Sequence, residues 1–199
     1  MYRFILTCMV ILCLACPAYA DFKSGEKAFN DRDFATAWKE LYPLAESGDA
    51  RAMEAVGCMY LDGNGIKQDH TKAFEWFEKA VKKGNLDAYN DLGFMYTEGL
   101  SVKKNAVKAF ECYFKAAHNN NYMAQATLAA LYYGGIGVSK SPKDALKWFL
   151  IASGNPASDG EVRESSKTKS LELEKTLTKK QVENAKLQAA TFLKTFKTK

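Results

Sequence analysis

With 199 residues, 47% of them hydrophobic and 26% charged, the chain has the make-up of an ordinary soluble protein, large enough for one sizeable domain and small for two. Its net charge of +5 is modest, and Lys and Arg alternate with Asp and Glu up to about residue 165, so no basic stripe marks a nucleic-acid footprint and no nucleic-acid partner is expected. Only four prolines occur in the whole chain, which suits a helical protein.

Residues 1–20, "MYRFILTCMVILCLACPAYA", place one early cation, Arg3, before an apolar run from Phe4 to Cys16, then Pro17 and the small-residue pattern Ala18-Tyr19-Ala20. This is the pattern of a secretory signal peptide, with cleavage expected before Asp21 and a periplasmic or secreted mature protein. The apolar run is too short to span a bilayer as a helix, which takes about 20 residues, so no integral span is expected. Leu14-Ala15-Cys16 also admits a lipoprotein reading, which Cys13 disfavours because an aliphatic residue belongs at that place. Cleavage would remove Arg3 and lower the charge from +5 to +4, and it would leave Cys58 and Cys112 as the two cysteines.

Beyond the leader, one interval organises the chain. A shift of 36 residues aligns Gly57 with Gly93, Gly63 with Gly99 and Gly135, and Ala73 with Ala109 and Ala145. The same shift superposes Ala52, Ala88 and Ala124; Val56, Leu92 and Leu128; Met59, Met95 and Leu131; and Tyr60, Tyr96 and Tyr132. Within each copy these positions fall at i, i+4, i+7 and i+8, one face of an amphipathic helix. Phe74, Phe77 and Ala80 return as Phe110, Tyr113 and Ala116 and as Leu146, Phe149 and Ala152, a second helical face. Each period is therefore a pair of helices, and the units are placed at 49–84, 85–120 and 121–155.

The stretches "YLDGNGIKQD", "YTEGLSVKKN" and "YYGGIGVSKS" join the two helices of each pair. Gly63, Gly99 and Gly135 stand where the first helix must end in a left-handed residue. Asp69, Asn105 and Ser141 share a side-chain acceptor and are predicted N-caps of the second helix, with Pro142 at the first helical position. Ile66, Val102 and Val138 are expected to plug the loop into the core. Small residues at Gly57, Gly93 and Ala129 would let paired helices approach closely.

Upstream, Ala37, Trp38, Leu41 and Gly48 match Ala73, Phe74, Phe77 and Gly84, so residues 21–48 form a degenerate unit whose first helix runs from about Phe22 to Asp31. Downstream, the period stops after Gly154 and "GNPASDG" is a turn-rich break. Residues 156–199 are read as two closing helices, Val162 to Leu177 and Lys179 to Thr195, ending in a basic tail. Thr178 and Gln181 form a capping box for the second, and Val182, Ala185, Leu187, Ala189 and Phe192 give it an apolar side to seal the open end. No single hairpin can bury both faces, so the fold class is all-α: an α-solenoid of stacked antiparallel helix pairs with N- and C-terminal capping helices.

"AMEAVGCMYLDGNGIKQDHTKAFEWFEKAVKKG" resembles the Sel-like repeats, relatives of the tetratricopeptide repeats with a period of about 36 residues. The second unit departs from that pattern at Ser101, Cys112 and Asn120, where the family favours Gly, Trp and Gly, and the third at Ala129 and after Ser153. The resemblance covers about Ala52 to Ser153, and it implies a scaffold for protein contacts with no shared reaction. Some cysteine-rich, exported proteins similar to these carry a cysteine pair in each unit and are described as penicillin-binding or weak β-lactamases. Here Cys58 lies on a first helix and Cys112 on the next unit's second helix, which does not fit that scheme, so no disulfide is expected.

Chemistry has little support in the sequence. The two histidines, His70 and His118, lie at opposite ends of different second helices without a His or Cys at ligand spacing, so neither a metal site nor a cofactor is expected. S-x-x-K occurs at Ser24, Ser101 and Ser166, but ten serines and 24 lysines give about one match by chance, and no S-D-N or K-T-G accompanies them. A cell-envelope enzyme of the β-lactamase or penicillin-binding type is the alternative to an expected non-catalytic protein.

Recognition by surface remains. Between the core positions of the first helices run Glu54, Cys58 and Leu61, then Asn90, Phe94 and Thr97, then Ala126, Ala130 and Tyr133, equal in spacing and different in chemistry. First helices line the concave side of such stacks, so Glu54, Cys58, Asn90, Phe94, Ala130 and Tyr133 are the candidate partner-binding residues, for a protein or peptide held by a monomer. Phe94 and Tyr133 are the aromatic anchors of this reading, unless they only pack against neighbours.

Overall fold

The computed structural model describes residues 21–197, so the leader and its cleavage site lie outside the described residues. Ten helices follow one another: α1 (Phe22–Asn30), α2 (Phe34–Ser47), α3 (Ala50–Asp62), α4 (His70–Lys82), α5 (Ala88–Glu98), α6 (Ala106–His118), α7 (Tyr122–Gly134), α8 (Pro142–Gly154), α9 (Gly160–Glu174) and α10 (Lys179–Lys197). There are no strands among the described residues. Up to α9 each helix packs on its neighbours in the chain, and α10 folds back onto α8. The result is an α-solenoid of helix pairs.

Local chemistry starts and stops each helix where the repeat requires it. Asp69 Oδ1 accepts from the N–H groups of Thr71 and Lys72 at 3.1 and 3.0 Å, Asn105 Oδ1 from Lys108 at 3.0 Å, and Ser141 Oγ from Asp144 at 3.3 Å. Such caps satisfy donors that the first turn leaves orphaned. Gly63, Gly99 and Gly135 end α3, α5 and α7 at φ of 75°, 75° and 72°. The T-x-x-Q box forms reciprocally before α10: Thr178 N–H donates to Gln181 Oε1 at 3.0 Å, and Gln181 N–H to Thr178 Oγ1 at 3.4 Å. Ile66, Val102 and Val138 are half-buried in their loops.

Packing then follows from side-chain size. Gly57 of α3 faces Phe77 of α4 so closely that a Cβ there would stand 2.6 Å from the ring, which explains a glycine inside a helix despite its cost of about 1 kcal/mol relative to alanine. Between units, Trp38, Phe74 and Phe110 meet Tyr60, Tyr96 and Tyr132 edge to face, with centroids 5.5, 5.8 and 5.3 Å apart. Each contact joins a second helix to the following first helix, and pairs of this geometry contribute about 0.5–1.5 kcal/mol beyond area burial. Lys72 and Lys108 cover the outer faces of Tyr60 and Tyr96, both at 5.2 Å. One core cluster runs through α1–α5 and takes in Cys112 of α6, a second runs through α6–α10, and Tyr89 and Tyr96 pack against both.

The C-terminal seal differs from the sequence reading in one residue. Ala185 and Ala189 are buried, and Val182 and Phe192 pack against the second cluster, but Leu187 is 68% exposed. Ala185, Ala189 and Phe192 recur at i, i+4 and i+7, and Leu187 lies off that stripe. His118, the last residue of α6, joins the seal: its ring lies 4.9 Å from Trp148 and 5.8 Å from Phe192.

Candidate functional site

The six candidate residues all lie on first helices, two each on α3, α5 and α7. The structure places four of them in two separate hollows and leaves two outside both. Glu54 and Cys58 line a cavity of about 450 Å³ bounded by α1, α3 and the loop before α5. Ala130 and Tyr133 line another, of about 420 Å³, bounded by α7, α8 and α9. Asn90 and Phe94 sit on α5 between these helices in the stack and line neither. Leu61, in the same register as Tyr133, is buried.

The first cavity is built on carboxylates. Asn85, the residue that enters the second unit, donates through Nδ2 to the Ala50 carbonyl at 3.2 Å and to the Glu54 carboxylate, tying α3 to the next unit. Burial raises the Glu54 carboxyl above the usual carboxylate range, against the opposing effect of the Asn85 hydrogen bond. Behind it, Asp91 of α5 is pushed up to about 8, first by burial and then by Glu54, with a hydrogen bond from Asn90 pulling the other way. The Cys58 thiol is held well above its ordinary range by burial, reinforced by Asp91, Glu54 and Asp62. A thiol so disposed is a poor nucleophile, because the thiolate is the reactive form. Cys112, at the place of Trp76 and Trp148, is buried and pushed up to about 11, and both cysteines are free.

The second cavity is built on rings and cations. Phe149 and Leu173, 3% and 5% exposed, form its floor, and Tyr133 stands at the rim, 53% exposed. Lys140 Nζ lies 5.6 Å over the Tyr133 ring and Lys169 Nζ 5.5 Å over the Phe149 ring. Phe94 is 42% exposed, so both proposed anchors present their rings to solvent.

Three contributors escaped the sequence reading. Asp91 occupies a register filled by Ala55 and Thr127 in the other units, and a carboxylate there, next to core Leu92, was the available signal. Lys169 and Leu173 come from α9, which lies outside the period and so has no register to read. A third is the buried amide knot at the other end of α7 and α8 from the second cavity. Asn155 Nδ2 donates to Gln125 Oε1 at 2.9 Å and to the Asn120 carbonyl at 3.1 Å, while Gln125 Nε2 donates to the Ala117 carbonyl at 3.2 Å. It locks the turn into α9 onto the α6–α7 junction, satisfying amides that would otherwise cost about 1–3 kcal/mol each.

Ser166 is 2% exposed, and among the described residues no cluster of three or more His, Cys, Asp or Glu side chains could hold a metal ion. No helix among the described residues is long and apolar enough to cross a membrane.

Comparison with known proteins agrees with this geometry. The chain is similar to c5321, a protective antigen of uropathogenic Escherichia coli strains with an SLR fold, at 32% identity and a TM-score of 0.71 over 80% of this chain and 33% of that one. It is also similar to a Sel1 repeat protein from Oxalobacter formigenes, at 28% identity and a TM-score of 0.63 over 69% of this chain and 56% of that one. A stretch of 41 residues is 51% identical to HRD3A of Arabidopsis thaliana, an ERAD-associated E3 ubiquitin-protein ligase component, covering 20% of this chain and 6% of that protein. The chain thus spans a small part of HRD3A, a third of the antigen and just over half of the Oxalobacter protein. Sel1 repeats match at residues 50–85, 86–121 and 123–154, together just over half of the sequence, and the chain belongs to the Sel1 repeat family.

Proposed function

We propose that this protein is an exported, non-catalytic scaffold that holds another protein on the concave face formed by α3, α5 and α7, acting as an adaptor, regulator or secreted interaction factor. The observation that carries this reading is the exposure of Phe94 and Tyr133. Registers that are small or buried in the other units, at Cys58 and Ala130 for Phe94 and at Thr97 and Leu61 for Tyr133, here present aromatic rings to solvent. Exposed aromatics set among core positions of a rigid scaffold are the residue type that anchors interfaces, since they bring large apolar area at small entropic cost. The protein works as a monomer in this reading.

Crosslinking in the native cell identifies the partner, and alanine at Phe94 and Tyr133 tests the face. Both variants should lose capture of that partner by at least an order of magnitude while changing folding stability by less than about 0.5 kcal/mol, as exposed side chains do. Capture by both variants at wild-type strength would refute the assignment. Export is tested separately by fractionation and N-terminal sequencing, with Asp21 expected as the first residue of the mature chain.

A further inference from the structure

We infer that the cavity between α7, α8 and α9 receives a partner segment carrying an apolar or aromatic side chain next to a carboxylate. The inference rests on the concave-face reading above and gives it a chemistry. Phe149 and Leu173 offer an apolar floor beneath an exposed Tyr133, and covering such surface is favourable by about 25 cal/mol per Å². The volume of about 420 Å³ falls within the range of roughly 300–1,000 Å³ that encloses bound groups in proteins.

Two cations decide what must accompany the apolar group. Lys140 and Lys169 lie over the Tyr133 and Phe149 rings, and neither makes an ion pair among the described residues. Two residues away on the same helix, Lys167 is paired with Glu164 at 3.9 Å, so α9 does supply carboxylates to lysines elsewhere. An ammonium carries three N–H donors, and one ring face cannot accept them all. Glu172, which also lines the cavity, is the opposing charge. Two lysines against one glutamate leave a net single positive charge at the rim, complementary to one carboxylate of an incoming chain. The site exists only because α9 follows the third unit out of register, so it belongs to this chain and not to the repeat as such.

The test is a selection of random peptides displayed on phage against the purified protein, followed by fluorescence anisotropy on the enriched sequences. Enrichment of Phe, Leu or Tyr beside Asp or Glu is expected. The double variant Lys140→Glu, Lys169→Glu, both exposed positions, should bind those peptides about tenfold or more weakly and should itself select Lys or Arg beside the apolar residue. Selected peptides without acidic preference, or equal binding to the double variant, would overturn the inference. If Phe94→Ala abolishes binding and the double variant does not, the concave face stands while this cavity is ruled out. If nothing is enriched, both readings fall.

Discussion

The two hollows along the first-helix face share one register, that of Cys58 and Ala130, yet one is built around carboxylates and the other around rings. At the N-terminal end Asn85 engages Glu54, and the acid pair Glu54 and Asp91 is drawn into the protein, where burial keeps Asp91 protonated up to about pH 8. At the C-terminal end Ala126 and Ala130 stand at the registers of Glu54 and Cys58, so α7 brings no carboxylate or thiol there, and Tyr133 stands exposed at the rim beneath Lys140. The contrast separates two uses of the first helices: inter-unit adhesion through Glu54 in one copy, an exposed ring at Tyr133 in another. The residues that must be equal, Tyr60, Tyr96 and Tyr132 and the capped turns, are equal because every unit needs the same contact with the next.

The largest expected effect breaks the carboxylate end. Asp91 has a folded value raised far above that of the unfolded chain, so its favourable contribution is complete below the unfolded pKa of 3.8 and is lost as pH rises toward about 8. The groups that face it are Glu54, Asp62, Asp87, Cys58 and Tyr113, and none of them supplies a compensating cation. Urea unfolding should show stability falling between pH 4 and 8 by on the order of 3 kcal/mol from this group, and Asp91→Asn should flatten that slope and be the more stable protein at pH 8. Glu54→Gln should flatten it in part.

A smaller effect compares the helix crossings beneath the two hollows. Gly57→Val drives a branched side chain into the fully buried Phe77 and should cost about 2 kcal/mol by overpacking, read as a lowered denaturation midpoint. The third unit carries Ala129 at the same register against Phe149, and Ala129→Gly should cost only about 1 kcal/mol, through helix propensity and a lost methyl group. A Gly57→Val variant as stable as the wild type would mean that Phe77 yields to the added side chain.

The smallest concerns the turns that separate the hollows. Ser101 has φ of 59°, a left-handed conformation that Gly65 and Gly137 adopt at the same register without a side-chain penalty. Ser101→Gly should raise stability by about 0.5 kcal/mol in calorimetry, the relief of strain outweighing the loss of its exposed 3.0 Å hydrogen bond to Thr71. The reverse change, Gly137→Ser, should be clearly destabilising, because a Cβ there would stand 2.0 Å from the Ala106 carbonyl oxygen.

Much of the scaffold could be read from residue spacing. The 36-residue shift placed the first and second helices, their glycine stops and the three caps at Asp69, Asn105 and Ser141, because capping and left-handed turns are local chemistry that each unit repeats. Leu187 was misplaced because a short apolar list on an irregular terminal helix leaves more than one stripe open. The candidate face was legible as a set of registers, but its division into two cavities was not. That division depends on Asn85 reaching back to Glu54 and on α9 arriving beside α7, contacts between segments 31 or more residues apart.

The sequence alone determined a stack of capped helix pairs with aromatic seams, since amphipathic period, helix capping and glycine turns act over distances of a few residues. Only the tertiary structure decided which of the variable first-helix residues are enclosed and which remain open, that Asp91 keeps its proton near neutral pH, and that Lys140 and Lys169 border one cavity floored by Phe149 and Leu173. Enclosure and desolvation are properties of how distant units meet, which local spacing does not encode.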